Sequence, residues 1–136
     1  GYPLGIVTDR ETLLRDLAYY EHRIDPQNGP AMSYSVFAVQ YARLGMAERA
    51  AEMFRRAYRP NLRPPFGAFA ETATSGNPYF MTGAGGLLQA VMFGFGGLEI
   101  TPDGVVQLEE AVLPPGWTRL EIRTPRGTFI KVKSER

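Results

Sequence analysis

The hydrophobic period of this chain changes once, at Leu98, and that change governs what it can fold into. Up to Phe95, outside the stretch 59–82, apolar residues recur at helical spacing, and beyond Leu98 they alternate with polar ones. Helices must therefore come first and antiparallel hairpins last, an α+β arrangement with the two kinds of element segregated along the sequence.

Thr8-Asp9-Arg10-Glu11 has the spacing of a capping box, and Leu13, Leu14, Leu17 and Ala18 follow on one face, which predicts a helix over 9–22. Asp25-Pro26-Gln27-Asn28-Gly29-Pro30 is a loop. A second helix is expected from Met32 to Leu44, with Gly45 as its left-handed terminator. Apolar residues surround so much of it that burial on two sides is expected. A third helix over 46–58 turns Ala47, Ala50, Ala51, Phe54 and Ala57 inward, a small-residue face suited to close packing. A fourth is expected over 84–95, ended by Gly94, Gly96 and Gly97. Leu98–Ile100 and Val105–Leu108 flank the turn Thr101-Pro102-Asp103-Gly104 as one hairpin. Leu120 and Ile122, then Ile130 and Val132 across Pro125-Arg126-Gly127, make a second, with those four residues inward. The charged stretch Lys133–Arg136 reads as a frayed tail or a cut edge.

From Arg59 to Thr82 the periodicity disappears. The stretch holds Pro60, Pro64, Pro65, Gly67, Gly76 and Pro78, yet also Phe66, Phe69, Tyr79 and Phe80. A connection longer than about 15 residues inside a domain is uncommon and usually functional. Glu71 sits in it, beside Phe69 and Ala70, with no cation nearer in sequence than Arg63. A carboxylate in an apolar wall suits general acid or base chemistry; the alternative is an ordinary solvated loop glutamate. Thr82-Gly83-Ala84-Gly85-Gly86 opens the fourth helix as a cradle for an anion or hydroxyl, or else as glycines that let another backbone approach. It is neither a Walker loop, since no Gly-Lys-Ser/Thr follows, nor a dinucleotide fingerprint, since no strand precedes it. His22 reads as a partner for the end of the first helix, Glu21 and Asp25 as solvated charges, and Trp117 as a core residue.

Composition removes several function classes. Fifteen Lys+Arg against fourteen Asp+Glu leave a net charge of +1, and the arginines are scattered from Arg10 to Arg136, so no electrostatic case exists for nucleic acid or an anionic membrane. Cysteine is absent and His22 is the one histidine, which excludes thiolate nucleophiles and multi-histidine metal sites. No apolar run reaches the 18 or so residues of a membrane span.

The stretch 76–98, Gly-Asn-Pro-Tyr-Phe-Met-Thr-Gly-Ala-Gly-Gly-Leu-Leu-Gln-Ala-Val-Met-Phe-Gly-Phe-Gly-Gly-Leu, resembles the C-terminal part of glycoside hydrolase family 65, as do Leu113-Pro114-Pro115-Gly116-Trp117 and the closing Arg126-Gly127 hairpin. Two further segments, Gly29–Val39 and Pro65–Glu71, resemble the hydrolase branch of that family, whose members cleave kojibiose-like and glucosylgalactosyl α-glucosides, rather than its phosphorylases. The resemblance implies that residues 1–97 are the last helices of an (α/α)6 catalytic barrel and 98–136 the start of a C-terminal β-sheet domain. It further implies that Glu71 is the general base of an inverting α-glucoside hydrolase, with Thr82, Gly83 and Phe69 around the sugar. No metal or organic cofactor is implied.

Inversion by water needs a carboxylate that deprotonates the water opposite the leaving group, about 6.5–9.5 Å from the acid. Phosphorolysis starts from an anionic nucleophile, which a carboxylate in that place would repel. The family's general acid would lie upstream of Gly1, and a barrel of twelve helices is only partly supplied by four. The chain is thus expected to be a piece of a larger enzyme, inactive alone, whose remaining N-terminal part is its partner and an α-linked glucoside its substrate. Two rivals stay open: a disaccharide phosphorylase of the same family, and a non-catalytic carbohydrate-binding or interaction module that is indifferent to loss of Glu71.

Overall fold

The computed structural model describes residues 1–77 and 79–133; Pro78, and residues 134–136 of the charged end, lie outside it. Four helices precede the last two hairpins: α1 (Arg10–Glu21), α2 (Ala31–Arg43), α3 (Ala47–Tyr58) and α4 (Met81–Gln89), which continues as a π turn through Ala90–Phe95. Between α3 and α4 a short 3-10 turn (Arg59–Asn61) leads into β1 (Leu62–Arg63) and β2 (Ala68–Phe69). The hairpins are β3 (Leu98–Thr101) with β4 (Gly104–Gln107), and β5 (Arg119–Thr124) with β6 (Gly127–Val132). The α+β reading holds.

Helix α2 is the hub. Ala31, Tyr34, Ser35, Phe37, Ala38, Val39, Tyr41 and Ala42 are buried, as its apolar circumference required. Gly45 is left-handed, φ +78°, and the Met46 N–H closes on the Tyr41 carbonyl at 2.9 Å, so the chain reverses at once into α3. The reversal lays α3 antiparallel to α2, with Arg49 over the Tyr41 ring and Arg56 over Tyr34. Ala50, Ala51 and Ala57 line the contact, and Met53, which the alanine pattern did not single out, is fully buried among them.

Helix α4 runs parallel to α2: Gly86 meets Ser35 and Met32 near one end, and Gly94 meets Val39 and Ala42 further along both helices. A Cβ on Gly94 would stand 3.1 Å from the Val39 Cα, so glycine there allows the two backbones to touch. The helix departs from expectation in where it begins and in the form of its last turn. It begins at Met81, three residues before the expected start, which brings Gly83 inside its first turn along with Gly85 and Gly86 in its second. It ends in a π turn closed by Gly96 N–H to Val91 carbonyl, 2.8 Å. A wider last turn re-aims Phe95 inward without breaking the helix.

The start of α1 is also shifted by one residue. Asp9, not Thr8, is the cap, accepting from the Thr12 N–H at 2.8 Å, and Thr12, through its side chain first and this N–H second, holds the carboxyl below the usual carboxylate range. Either residue can cap a helix, but Asp9 brings a full negative charge to the free N–H groups and the positive end of the dipole.

The last hairpin keeps its period and reverses the phase of its second strand. Leu120 pairs with Lys131 and Ile122 with Phe129, so Phe129 shares the inner face while Ile130 and Val132 are exposed opposite it. A tight turn fixes register, and register outranked hydrophobicity in choosing which residues face inward. Lys131 is drawn in with them and donates to the Leu108 and Glu109 carbonyls at 2.9 and 2.7 Å; burial lowers its pKa.

Helices and hairpins share one core. The fully buried Phe95 ring lies 5.3 Å from Phe54 and 5.8 Å from Trp117; Trp117, expected in the core, covers Phe95 from the rim and stays 37% exposed. Arg43 binds the Phe93 and Leu98 carbonyls (3.3 Å each) and the Glu99 carboxylate (2.5 Å), with its guanidinium over Tyr2. One half-buried cation thus ties α2, the π turn and β3 together.

Candidate functional site

Parallel α2 and α4 place both of their N-termini at the same end of the helix group, and the antiparallel α3 delivers the long connection there. Its Pro64–Gly67 turn is closed by the short ladder Leu62–Phe69 and Arg63–Ala68, and leaves Phe66 94% exposed at its tip. The connection is therefore only partly without regular structure. The chain then passes under α2, where Glu71 lies.

Glu71 is half-buried, and its carbonyl accepts the Ala31 N–H at 3.0 Å. Pro30 precedes α2 and offers no side-chain cap, so the Glu71 main chain serves one of the free donors of that helix. The Glu71 side chain is thereby free for other work: among the described residues it forms no hydrogen bond or ion pair.

The other sequence candidates meet at the start of α4. The Phe80 N–H bonds the Phe69 carbonyl at 2.7 Å, bringing the start of α4 against β2. A Cβ on Gly83 would come within 2.5 Å of the Phe69 ring and 2.9 Å of Phe80, so Gly83 exists to receive these rings. Gly86 likewise receives Ser35 at 3.0 Å. Gly85 has open space, and with Thr82, Tyr2, Met32, Ser35 and Val36 it lines a cleft of about 340 Å³ between α2 and α4. Of the four candidates, Phe69 and Gly83 touch, Thr82 opens on the cleft, and Glu71 stands at the start of α2 outside the cleft lining. Among the described residues no group of three or more His, Cys, Asp or Glu side chains converges as a metal site would require.

Two groupings escaped the sequence. Glu21, expected to be solvated, has a side chain only 10% exposed; it accepts the Tyr41 hydroxyl at 2.7 Å and pairs with Arg49, which also pairs with Glu52. A partner from α3, Arg49, and the Tyr41 hydroxyl of α2 draw Glu21 inward. Burial first, and the Glu21 carboxylate second, push the Tyr41 phenol up to about 12. A phenol whose folded pKa is raised contributes stability below its unfolded pKa, near 10, that is lost as pH rises through the folded value. Tyr41→Phe is expected to cost about 1 kcal/mol at pH 8. In denaturation series the difference from wild type should shrink between pH 10 and 12. His22 is placed as expected at the end of α1, with Nδ1 2.8 Å from the Ala18 carbonyl.

The second grouping surrounds Glu71. Arg63 donates from Nη2 to the Thr72 and Ala73 carbonyls at 2.9 and 2.6 Å, and Asn28 accepts the Thr74 N–H and hydroxyl at 3.1 and 2.8 Å. A lone arginine in a proline-rich connection and an asparagine in a distant turn give no periodic signal that could have paired them.

No family model matches the chain. Curated proteins do. Over 122 residues, 90% of this chain, it is 46% identical to kojibiose hydrolase of Mucilaginibacter mallensis, covering 18% of that protein. It is 38% identical over 124 residues, 91% of the chain, to protein-glucosylgalactosylhydroxylysine glucosidase of Dictyostelium discoideum, covering 17% of it. Cell wall acid trehalase of Arthroderma benhamiae is 33% identical over 135 residues, matching 90% of this chain and 13% of its own length. The class these relatives define is the glycoside hydrolases. Within it, the chain is similar to the kojibiose and glucosylgalactosyl branch read from its residues, and spans less than a fifth of the length of these relatives.

Proposed function

We propose that this chain is part of an inverting α-glucoside hydrolase in which Glu71 is the general base. Residues 1–97 belong to the catalytic (α/α)6 barrel, and 98–136 begin the C-terminal β-sheet domain. The parallel course of α2 and α4, with antiparallel α3 beside them, suits inner and outer helices of such a barrel. The observation that carries the reading is Glu71 itself: its main chain is fixed to the start of α2 while its carboxylate is left unpaired among the described residues.

The Glu71 carboxylate takes a proton from a water as the water oxygen bonds to the anomeric carbon. The glycosidic bond breaks on the opposite face, and its oxygen leaves with a proton from an acid outside these 136 residues. An α-glucoside therefore gives β-glucose. Phe69 and Thr82 bound the sugar side, and Gly83 lets Phe69 sit there.

The test is the product formed by the full-length enzyme from kojibiose in phosphate buffer, followed by proton NMR in the first minutes. Free β-glucose appearing before mutarotation is the expected result. Glucose 1-phosphate would establish the phosphorylase instead, and no turnover of kojibiose or glucosylgalactose would favour a non-catalytic module.

A further inference from the structure

Resting on Glu71 as the base, we propose that Arg63 is its positioning residue, setting the carboxylate through the main chain on its C-terminal side. The segment around Glu71 is tied at every step. Ala70 N–H reaches the Asn61 carbonyl at 2.8 Å, the Glu71 carbonyl receives Ala31, the Thr72 and Ala73 carbonyls receive Arg63, and Thr74 is held by Asn28. Three of these ties, from Asn61, Ala31 and Asn28, come from groups fixed by helix termini or tight turns. The Arg63 tie alone comes from a long side chain.

Its geometry explains why an arginine stands there. Nη1 donates to the Pro60 carbonyl at 2.9 Å while Nη2 serves Thr72 and Ala73. One rigid planar group thus spans the turn after α3 and the peptide units that carry the Thr72 and Ala73 carbonyls. A lysine ammonium keeps the charge but cannot hold both sides in a fixed plane. Carbonyls that converge on one another repel unless a cation lies between them. Without Arg63, the peptides that carry the Thr72 and Ala73 carbonyls are expected to rotate and, through Thr72, to turn the Glu71 side chain off line even though the Glu71 carbonyl stays on Ala31. A displacement of about 1 Å at a reacting group costs on the order of a hundredfold in rate. The arrangement also accounts for the absence of a direct Arg63–Glu71 ion pair: a guanidinium bound to the carboxylate would compete with the water for its oxygens.

The test is a mutant cycle in the full-length enzyme with kojibiose as substrate: Arg63→Met, Arg63→Lys, Glu71→Gln and the Arg63→Met/Glu71→Gln double variant. The expected result is a fall in kcat of roughly 30- to 100-fold for Arg63→Met, with KM within about threefold. Arg63→Lys should recover no more than about a tenth of the wild-type rate. In the Glu71→Gln background, Arg63→Met should cost less than about threefold more, because a residue that acts through Glu71 has nothing left to position. Multiplying losses, a kcat within threefold of wild type, or full recovery by lysine would each overturn the proposal. If Arg63→Met does not fold, Arg63→Lys carries the same cycle with Glu71→Gln. A Glu71→Gln enzyme of near-normal rate would instead overturn the base assignment, and this one with it.

Discussion

Glu71→Gln in the full-length enzyme is expected to lower kcat by about 10²- to 10⁴-fold, the usual worth of a positioned general base. The substitution is nearly isosteric, so the reason has to be chemical. An amide oxygen at this position cannot accept the proton that the attacking water must lose. The amide group also presents a donor where an acceptor is needed. The fold has no stake in the carboxylate: the tie to α2 runs through the Glu71 carbonyl, and no side-chain partner among the described residues is lost. Thermal stability should accordingly change by less than about 1 kcal/mol, within the range of neutral surface substitutions. KM should also hold, because the base acts on the water. Glu71→Asp separates position from chemistry, since it keeps the carboxylate and withdraws it by one methylene. A loss of roughly ten- to a hundredfold is expected for it. Initial rates of glucose release across the three enzymes, read beside their melting temperatures, check the whole pattern. A Glu71→Gln enzyme within tenfold of wild type would move the base elsewhere, while a melting temperature that fell with the rate would make Glu71 a structural residue.

Much of the architecture was written in local pattern. Gly45 ends α2 in the left-handed conformation its position demanded, and the period change at Leu98 marks the passage from helix to hairpin. Glu71 stood out because a carboxylate among aromatic residues in a long, proline-rich connection has little structural reason to be there. What escaped the sequence was settled by partners distant along the chain. Asp9 rather than Thr8 capped α1, a choice between two adjacent capable residues that spacing alone could not make. Ile130 and Val132 lost the inner face to Phe129 and Lys131 because the turn set the register. Glu21 became a buried partner of Tyr41 and Arg49, two residues on other helices. The glycines of α4 illustrate the limit best. The sequence marked a close approach at Gly83 and Gly86, yet only the fold shows that Phe69, Phe80 and Ser35 make it.

Phe95→Ala is expected to cost about 3–5 kcal/mol of stability, the range for deleting a buried aromatic ring. The upper half of that range is favoured by how little the surroundings can close over the gap. Phe95 is wholly inaccessible and meets Phe54 edge-on at 5.3 Å on the helical side and Trp117 at 5.8 Å on the side of the hairpins. Its neighbours in sequence are pinned. Gly94 lies against the α2 backbone, and Gly96 lies under Ile122 with its N–H held by Val91 in the π turn. A backbone so constrained cannot sink into a cavity, so the lost contacts are not regained. Phe95→Leu, which retains part of the volume, should cost about 1–2 kcal/mol. Urea unfolding of the full-length enzyme, followed through the transition that exposes this core, measures both. Thirteen residues of helix separate Phe95 from Thr82, roughly 20 Å at 1.5 Å per residue. The kcat of the molecules that remain folded should therefore stay near wild type for both variants. Equal losses of stability and kcat would mean that the π turn, through the α2–α4 contact, also sets the geometry at the Glu71 end.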